Sequence, residues 1–210
     1  MYQDNSYKDK DPDAIREFVA NHPFAVLSGC DINYNPVATQ VPVFLEKEQG
    51  KWLVRGHLIR DAEHHKAFQE NPRVMLVFPG PHTYVSATAY AHQSQASTWN
   101  YMSVQIRGKI HFRDREALVN ILKKTTLHFE KYREDSPTVY ENLPGHYTSR
   151  LLDYIVAFEV EVEDMDHVFK LSQDKDRESF ENVITHLREG DPNARAIAEE
   201  MEKRKKDLFG

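Results

Sequence analysis

The sequence is poor in the features that mark secreted and membrane proteins. Cys30 is the only cysteine among 210 residues, so no internal disulfide can form. No apolar run approaches the roughly 20 residues that a membrane span needs, and the N-terminus lacks a basic segment followed by an apolar one. These absences predict a cytoplasmic protein with no membrane segment. Because Cys30 follows an apolar run, we interpret it as a small buried hydrophobe and not as a nucleophile.

Several motifs of nucleotide, metal and hydrolase chemistry are also missing. The sequence holds no G-x-G-x-x-G or phosphate loop, no H-E-x-x-H and no G-x-S-x-G. His64 and His65 are adjacent, but neighbouring helical residues point about 100° apart and share one metal ion poorly. We expect both to be exposed polar residues. With one cysteine and scattered histidines, we expect no metal site.

Positive charge is in deficit. The 27 Lys and Arg residues are outnumbered by 33 Asp and Glu residues, which gives a formal net charge of −6. Proteins that bind nucleic acid usually carry a basic patch. The one basic run, Lys203-Arg204-Lys205-Lys206, closes a predicted helix, where cations suit the helix dipole. We interpret the run as a solvated helix end, so direct DNA binding is doubtful.

The strongest pattern in the chain is the alternation of apolar and polar residues between Met102 and Phe112, which predicts a strand with one buried face. The apolar face holds Met102, Val104, Ile106, Ile110 and Phe112, and the polar face holds Ser103, Gln105, Arg107, Lys109 and His111. We expect a loop at 97–101 to lead into this strand. Tyr154 to Glu163 alternates too, and its glutamates, including Glu159, are predicted to face outward.

Other segments complete a mainly β architecture. Further strands are predicted at Phe24–Cys30, Val37–Leu45, Trp52–Leu58, Val74–Phe78 and Thr83–Ser86. Helices are predicted after Asp11-Pro12, from a cap at Asp61 to Glu70, at Arg113–Tyr132, and twice near the C-terminus, around Phe180–Leu187 and from Pro192. Hairpin-linked strands of this number favour an antiparallel barrel with flanking helices. We expect one domain over residues 1–210, with a helical extension over about 174–210.

Polar residues after the third strand form a candidate anion site. His57, Arg60 and Lys66 surround the start of the short predicted helix, and a helix N-terminus with nearby cations binds phosphate well. Thr39 and Gln40 on the preceding strand could add polar contacts. The alternative is that Arg60 and Lys66 are ordinary surface cations.

A second polar group precedes the alternating strand. Thr98, Trp99, Asn100 and Ser103 could contact a planar polar ring. The alternative is a surface loop whose Trp and Tyr cover one end of the barrel.

Several short motifs follow one another in a recognisable order. They are Met1-Tyr2, Phe18 through Ala25, Pro36 through Pro42, Gly56 through Arg60, Phe78 through Ser86, Thr98 through Tyr101, and Phe169 through Gln173. In these motifs the chain resembles the PaiB-type family of FMN-binding negative transcriptional regulators.

This resemblance implies the FMN-binding split barrel shared with pyridoxamine 5′-phosphate oxidases: a six-stranded antiparallel Greek-key barrel with flanking helices. It also implies a homodimer with flavin in the groove between subunits. On this hypothesis Arg60 and Lys66, with His57 nearby, hold the FMN phosphate, while Thr98, Trp99, Asn100 and Ser103 line the flavin ring. Ala38, Thr39 and Leu58 complete the predicted cofactor contacts. Two alternatives are a flavin-dependent oxidoreductase acting on a small molecule, and a scaffold that has lost flavin and binds another ligand, such as haem.

Overall fold

The structure is a computed structural model that describes residues 4–9, 11–92 and 94–210. Met1-Tyr2, which opens the family resemblance, lies outside these residues. The strands are β1 (Phe24–Cys30), β2 (Pro36–Glu48), β3 (Lys51–Ile59), β4 (Arg73–Val85), β5 (Thr98–Phe112) and β6 (Ile155–Lys170). The helices are α1 (Pro12–Asn21), α2 (Glu63–Glu70), α3 (Arg115–Phe129), α4 (Gly145–Tyr154), α5 (Arg177–Arg188) and α6 (Pro192–Phe209).

The chain divides into two compact units. One contains Val19–Phe78 and Gln105–Met165, and we call it the barrel unit. The other contains Met1–Phe18, Pro79–Val104 and Asp166–Gly210, and we call it the helical unit. The expected single domain with a helical extension stays a prediction.

The barrel unit is built on a sheet that closes on itself. Its strands are neighbours in the order β1-β2-β3-β6-β5-β4, and β1 pairs with β4 as well as with β2. Val43 lies opposite Gly56 in the β2–β3 pair, and Gly56 lies opposite Phe158 in the β3–β6 pair. Leu27, Leu76, Ile106 and Phe158 are among the fully buried side chains. The predicted antiparallel sheet of six strands with flanking helices is confirmed.

Strand β5 follows its predicted alternation. Met102, Val104, Ile106 and Ile110 are buried together with Gly108, and Phe112 is half-buried, whereas the polar residues 103, 105, 107, 109 and 111 are half-buried or exposed. Gly108 is required because a Cβ at this position would lie 2.0 Å from the carbonyl oxygen of Glu161 on β6. The predicted loop at 97–101 was wrong for residues 98–101, since β5 already begins at Thr98.

The segment Pro79-Gly80-Pro81 does not interrupt β4, although we predicted two strands separated there. The ladder between β4 and β1 covers residues 74–77 only, so both prolines lie beyond it. A missing N–H costs no hydrogen bond to β1 at such positions. Glycine at position 80 leaves room for the Phe18 ring, because a Cβ there would lie only 2.5 Å from that side chain.

Strand β6 and the segment before it depart furthest from expectation. Helix α4 lies in a region for which the sequence predicted no element, and its Leu152 packs in a cluster with Leu118, Ile121 and Ile155. Glu159 was predicted to face outward but is only 7% exposed. Arg55 and Arg113 donate hydrogen bonds to its two oxygens, so partners distant in sequence make the burial possible.

The helical unit contains the two C-terminal helices, which formed as predicted. Asp176 and Asp191 cap α5 and α6 by accepting hydrogen bonds from the N–H groups of Ser179 and Ala194. The predicted apolar faces are buried: Phe180, Val183, Ile184 and Leu187 on α5, and Ile197, Ala198 and Met201 on α6. Within the described part of the chain, no helix combines the length and apolarity needed to cross a bilayer.

Candidate functional site

The predicted anion site lies in the barrel unit, where the chain leaves β3 and enters α2. We call His57, Arg60 and Lys66 the phosphate cluster. The Arg60 N–H donates to the Tyr154 carbonyl over 2.8 Å, and its Nη2 donates to the Ile155 carbonyl over 3.0 Å. These bonds fix Arg60 against the start of β6. The guanidinium remains exposed and keeps further N–H groups for a ligand.

Helix α2 begins without a side-chain cap. We predicted Asp61 as its cap, but Ala62 holds the N-cap position and makes no side-chain hydrogen bond. Asp61 instead adopts φ +61°, and its N–H donates to Nδ1 of His65 over 3.0 Å. The first-turn N–H groups of α2 therefore lack a capping side chain, although the acidic Glu63 stands in that turn and partly offsets the positive end of the helix dipole.

His65, the residue before Lys66 on α2, is buried beside the cluster. It is 3% exposed and packs edge-on against Phe112 with 4.5 Å between ring centroids, so the expectation of an exposed residue was wrong. Burial lowers the pKa of His65, Asp61 opposes this shift, and Arg60 and Lys66 each lower the pKa further. The charges of both cations thus act in the same direction on this imidazole.

His57 contributes an unpaired polar atom. Its Nδ1 is buried and has no hydrogen-bond partner among the described residues. Burial lowers the pKa of His57, so the ring is neutral at pH 7. A buried ring nitrogen without a partner is costly in a folded protein. A ligand that supplied the missing hydrogen bond would remove that cost.

The remaining predicted contacts of the barrel unit are Leu58, Ala38 and Thr39. Leu58 is 4% exposed and belongs to the core. Ala38 is exposed and Thr39 is half-buried, and both pair with β1 rather than β3. The β2–β3 pairs extend only as far as Val43 and Gly56, so they show no contact of Thr39 with the phosphate cluster, and its predicted role stays a prediction.

The phosphate cluster carries several groups of the kind that bind anions. It offers the Arg60 guanidinium, the Lys66 ammonium, an uncapped helix start and an unpaired imidazole nitrogen. Lys66 is exposed, and its ammonium makes no hydrogen bond or ion pair within residues 4–9, 11–92 and 94–210. This donor set suits a dianion.

The residues predicted to line the flavin ring lie in the helical unit, and we call them the ring-side group: Thr98, Trp99, Asn100 and Ser103. Trp99 is 54% exposed, and its ring lies 6.0 Å from Tyr84 and 6.3 Å from His82, measured between centroids. Thr98 accepts a hydrogen bond of 2.5 Å from Lys170. Sequence reasoning missed His82 and Tyr84, although their spacing of two residues places them on one face of a strand.

Asn100 and Ser103 differ in accessibility. Asn100 is fully buried, and its Nδ2 donates to Ser172 Oγ over 2.9 Å and also approaches Met201 Sδ at 3.7 Å. Its side chain stabilises the helical unit and has no exposed surface for a ring, contrary to expectation. Ser103 is half-buried on the polar face of β5, and its contact with a flavin ring stays a prediction.

Sequence comparison places these residues in a family. Residues 1–164 match the family described as "Putative FMN-binding domain". The chain belongs to this family. Membership of this family supports FMN as the cofactor of the chain. The "Protease synthase and sporulation protein PAI 2" of Bacillus subtilis is 30% identical over 203 residues, covering 96% of this chain and 97% of the relative. The predicted PaiB-type resemblance is thereby confirmed.

Solved structures with low sequence identity to this chain share its fold. The conserved hypothetical protein Rv2991 from Mycobacterium tuberculosis is 12% identical and aligns with a TM-score of 0.57 over 81% of this chain and 91% of that one. The FAD and heme binding protein from Mycobacterium smegmatis is 14% identical, with a TM-score of 0.54 over 77% of this chain and 72% of that one. These similarities concern the fold alone.

Proposed function

We propose that the chain is an FMN-binding protein of the PaiB type, and that the phosphate cluster holds the phosphate of FMN. The observation that carries the proposal is the uncapped start of α2 between Arg60 and Lys66. Arg60 donates charge-assisted hydrogen bonds, Lys66 supplies a second positive charge, and His57 Nδ1 gains a partner. Family membership over residues 1–164 supports FMN as the ligand.

The flavin ring would use the ring-side group, which is a separate part of the proposal. The exposed face of Trp99 offers a surface for stacking, and Thr98 and Ser103 offer hydroxyl groups. Asn100 acts indirectly by holding β5 in place through Ser172. FMN, when bound, supplies redox chemistry, whereas these side chains bind and orient it.

The proposed assembly is a homodimer of Greek-key split barrels with flavin in the groove between subunits. The closed six-strand order and the half-buried polar residues of β5 support it. The name of the Bacillus subtilis relative refers to protease synthase and sporulation. We propose a regulatory role here too, exerted without direct reading of DNA.

The test is a fluorescence titration of flavin-free protein with FMN and with riboflavin, which lacks the phosphate. We expect FMN to bind at least about tenfold more tightly, because a phosphate contact contributes roughly 1.5–3 kcal/mol per charge-assisted bond. Equal affinities would exclude the phosphate cluster as the phosphate site. Absence of binding by either flavin would overturn the proposal as a whole.

A further inference from the structure

A cavity of about 510 Å³ opens in the barrel unit beside the first turns of α3. None of its lining residues belongs to the phosphate cluster. Its lining combines apolar side chains, among them Phe44, Ile121 and Phe158, with charged ones. We call it the α3 cavity. Its volume suits a small organic ligand.

The two arginines that line the cavity already form hydrogen bonds with carboxylates. Arg55 donates from Nε to Glu159 over 2.8 Å, from Nη1 to Glu46 over 2.9 Å, and from Nη2 to Glu48. Arg113 donates from Nη2 to the other oxygen of Glu159 over 2.5 Å. An entering anion would have to compete with these ion pairs.

Negative charge is in excess around the cavity. Its lining carries the four carboxylates of Glu46, Glu48, Asp114 and Glu159 and the three cations of Arg55, Arg113 and Lys124. Burial alone would raise the pKa of Glu46 and of Glu159, but their basic partners hold both pKa values below the ordinary range. Glu46 and Glu159 are therefore charged at neutral pH, and the excess of carboxylates over cations in the lining favours a cation.

Lys124 shows how an ammonium group fits here. Its Nζ lies 4.5 Å from the centroid of the Phe44 ring and is bound to Glu46. An aromatic face beside a carboxylate is a favourable environment for an ammonium ion. The Lys124 side chain is 47% exposed, so it can swing out to solvent on its flexible stem.

We propose that the α3 cavity binds a small organic amine with an apolar body. The ligand ammonium would replace that of Lys124 between Phe44 and Glu46, while the body lies against Ile121 and Phe158. The inference is independent of the flavin proposal, since the two sites share no residue.

The first test is an NMR titration of the full-length protein, saturated with FMN, followed through the backbone amides of residues 113–124. The probes share a phenyl group: phenethylamine, the neutral phenethyl alcohol and the anionic 3-phenylpropionate. We expect the amine to bind at least about fivefold more tightly than the alcohol, and less tightly as salt is added. Equal binding of alcohol and amine, or tighter binding of the anion, would refute the proposal.

The second test removes the competing ammonium. Lys124→Ala should tighten phenethylamine binding by roughly fivefold or more, because it frees Glu46 and the Phe44 ring. Lys123→Ala is the matched control, because it removes the same charge from a neighbouring residue. Lys123 pairs with Glu141, and neither residue lines the cavity. Equal affinity of the two variants, or weaker binding by Lys124→Ala, would overturn the replacement of Lys124 by the ligand.

Discussion

At the scale of single residues, polar side chains were harder to place than apolar ones. Alternation places Glu159 outside the barrel, and local pattern treats Asn100 as a ligand contact. The deciding partners are far away in sequence: Glu159 is held by residues 104 and 46 positions distant, and Asn100 by one 72 positions distant. Such pairings exist only once the sheet has formed, so no local window of sequence contains them.

Arg60 provides the sharpest test of the phosphate cluster. Its guanidinium donates to a backbone carbonyl and remains exposed. Arg60→Ala should weaken FMN about tenfold or more, since 1.4 kcal/mol corresponds to a factor of ten. Riboflavin binding should change far less. The measurement is a fluorescence titration with both flavins.

Arg195→Ala is the matched control for this experiment. Arg195 is also exposed and also donates to a backbone carbonyl, that of Gly190, but it lies on α6 in the helical unit. This variant should leave both affinities unchanged. Equal weakening of FMN and riboflavin by Arg60→Ala would remove Arg60 from the phosphate site.

Glu159 is predicted to stabilise the barrel unit through its two arginines. Glu159→Ala removes the carboxylate that pairs with Arg113 and leaves Arg55 with two of its three acid partners. We expect a loss of about 2 kcal/mol in the free energy of unfolding, less than for a fully buried pair because Arg113 is half-exposed. Urea denaturation at pH 7 measures it. Glu161→Ala, two residues along β6 and 43% exposed, should cost clearly less. Equal losses would contradict the argument.

At the scale of secondary structure, sequence patterns worked where one local signal dominated. Strand β1 has its predicted bounds, β5 its predicted alternation, and α6 its Asp-Pro start. The errors arose where tertiary context decides. Prolines in β4 are acceptable because they lie beyond the ladder with β1. Helix α4 begins at a glycine after a proline, without a side-chain cap to announce it.

The contact between the N-terminal segment and β6 predicts a dependence of stability on pH. His167 is 7% exposed, and its Nε2 accepts the Asp9 N–H over 2.7 Å, which requires an unprotonated nitrogen. Burial lowers the pKa of His167, and Lys8 lowers it further, against the opposing charges of Asp166 and Asp9. The folded state therefore binds this proton less readily than the unfolded chain, whose histidine pKa is about 6.5.

Stability should consequently be constant above about pH 7.5 and fall as the pH drops through 6.5, by up to about 1.4 kcal/mol per pH unit for each such histidine. His57 and His65 also have lowered pKa values and contribute in the same direction. His167→Gln keeps an acceptor without a titrating ring, so it should reduce the slope between pH 7 and 5.5. His111→Gln, at an exposed position, is the matched control. A slope unaltered by His167→Gln would refute the assignment.

At the scale of the whole molecule, the proposed homodimer follows from the resemblance and from the polar residues of β5 that are only half-buried. An obligate interface should bury on the order of 2,000 Å² or more. Light scattering at micromolar concentration should then return about 49 kDa, twice the 24.5 kDa of one chain. A mass of one chain would contradict the dimer and the proposed groove between subunits.

The distribution of charge argues against direct DNA binding. The basic run of α6 is largely engaged by acids within the helical unit: Lys203 pairs with Glu200, Arg204 with Asp9 and Glu200, and Lys205 with Glu181. Phosphates would have to displace these carboxylates, and the net charge of −6 repels a polyanion at long range.

Mobility-shift experiments with promoter fragments should therefore show no sequence-specific complex at physiological salt. Any complex at low salt should dissolve steeply as salt is added, because only counterion release would sustain it. Random and promoter DNA should compete equally for such a complex. Persistence of a complex at physiological salt, competed by promoter DNA but not by random DNA, would show that the chain reads DNA directly. A regulatory role would then require a reading surface that the paired cations of α6 do not supply.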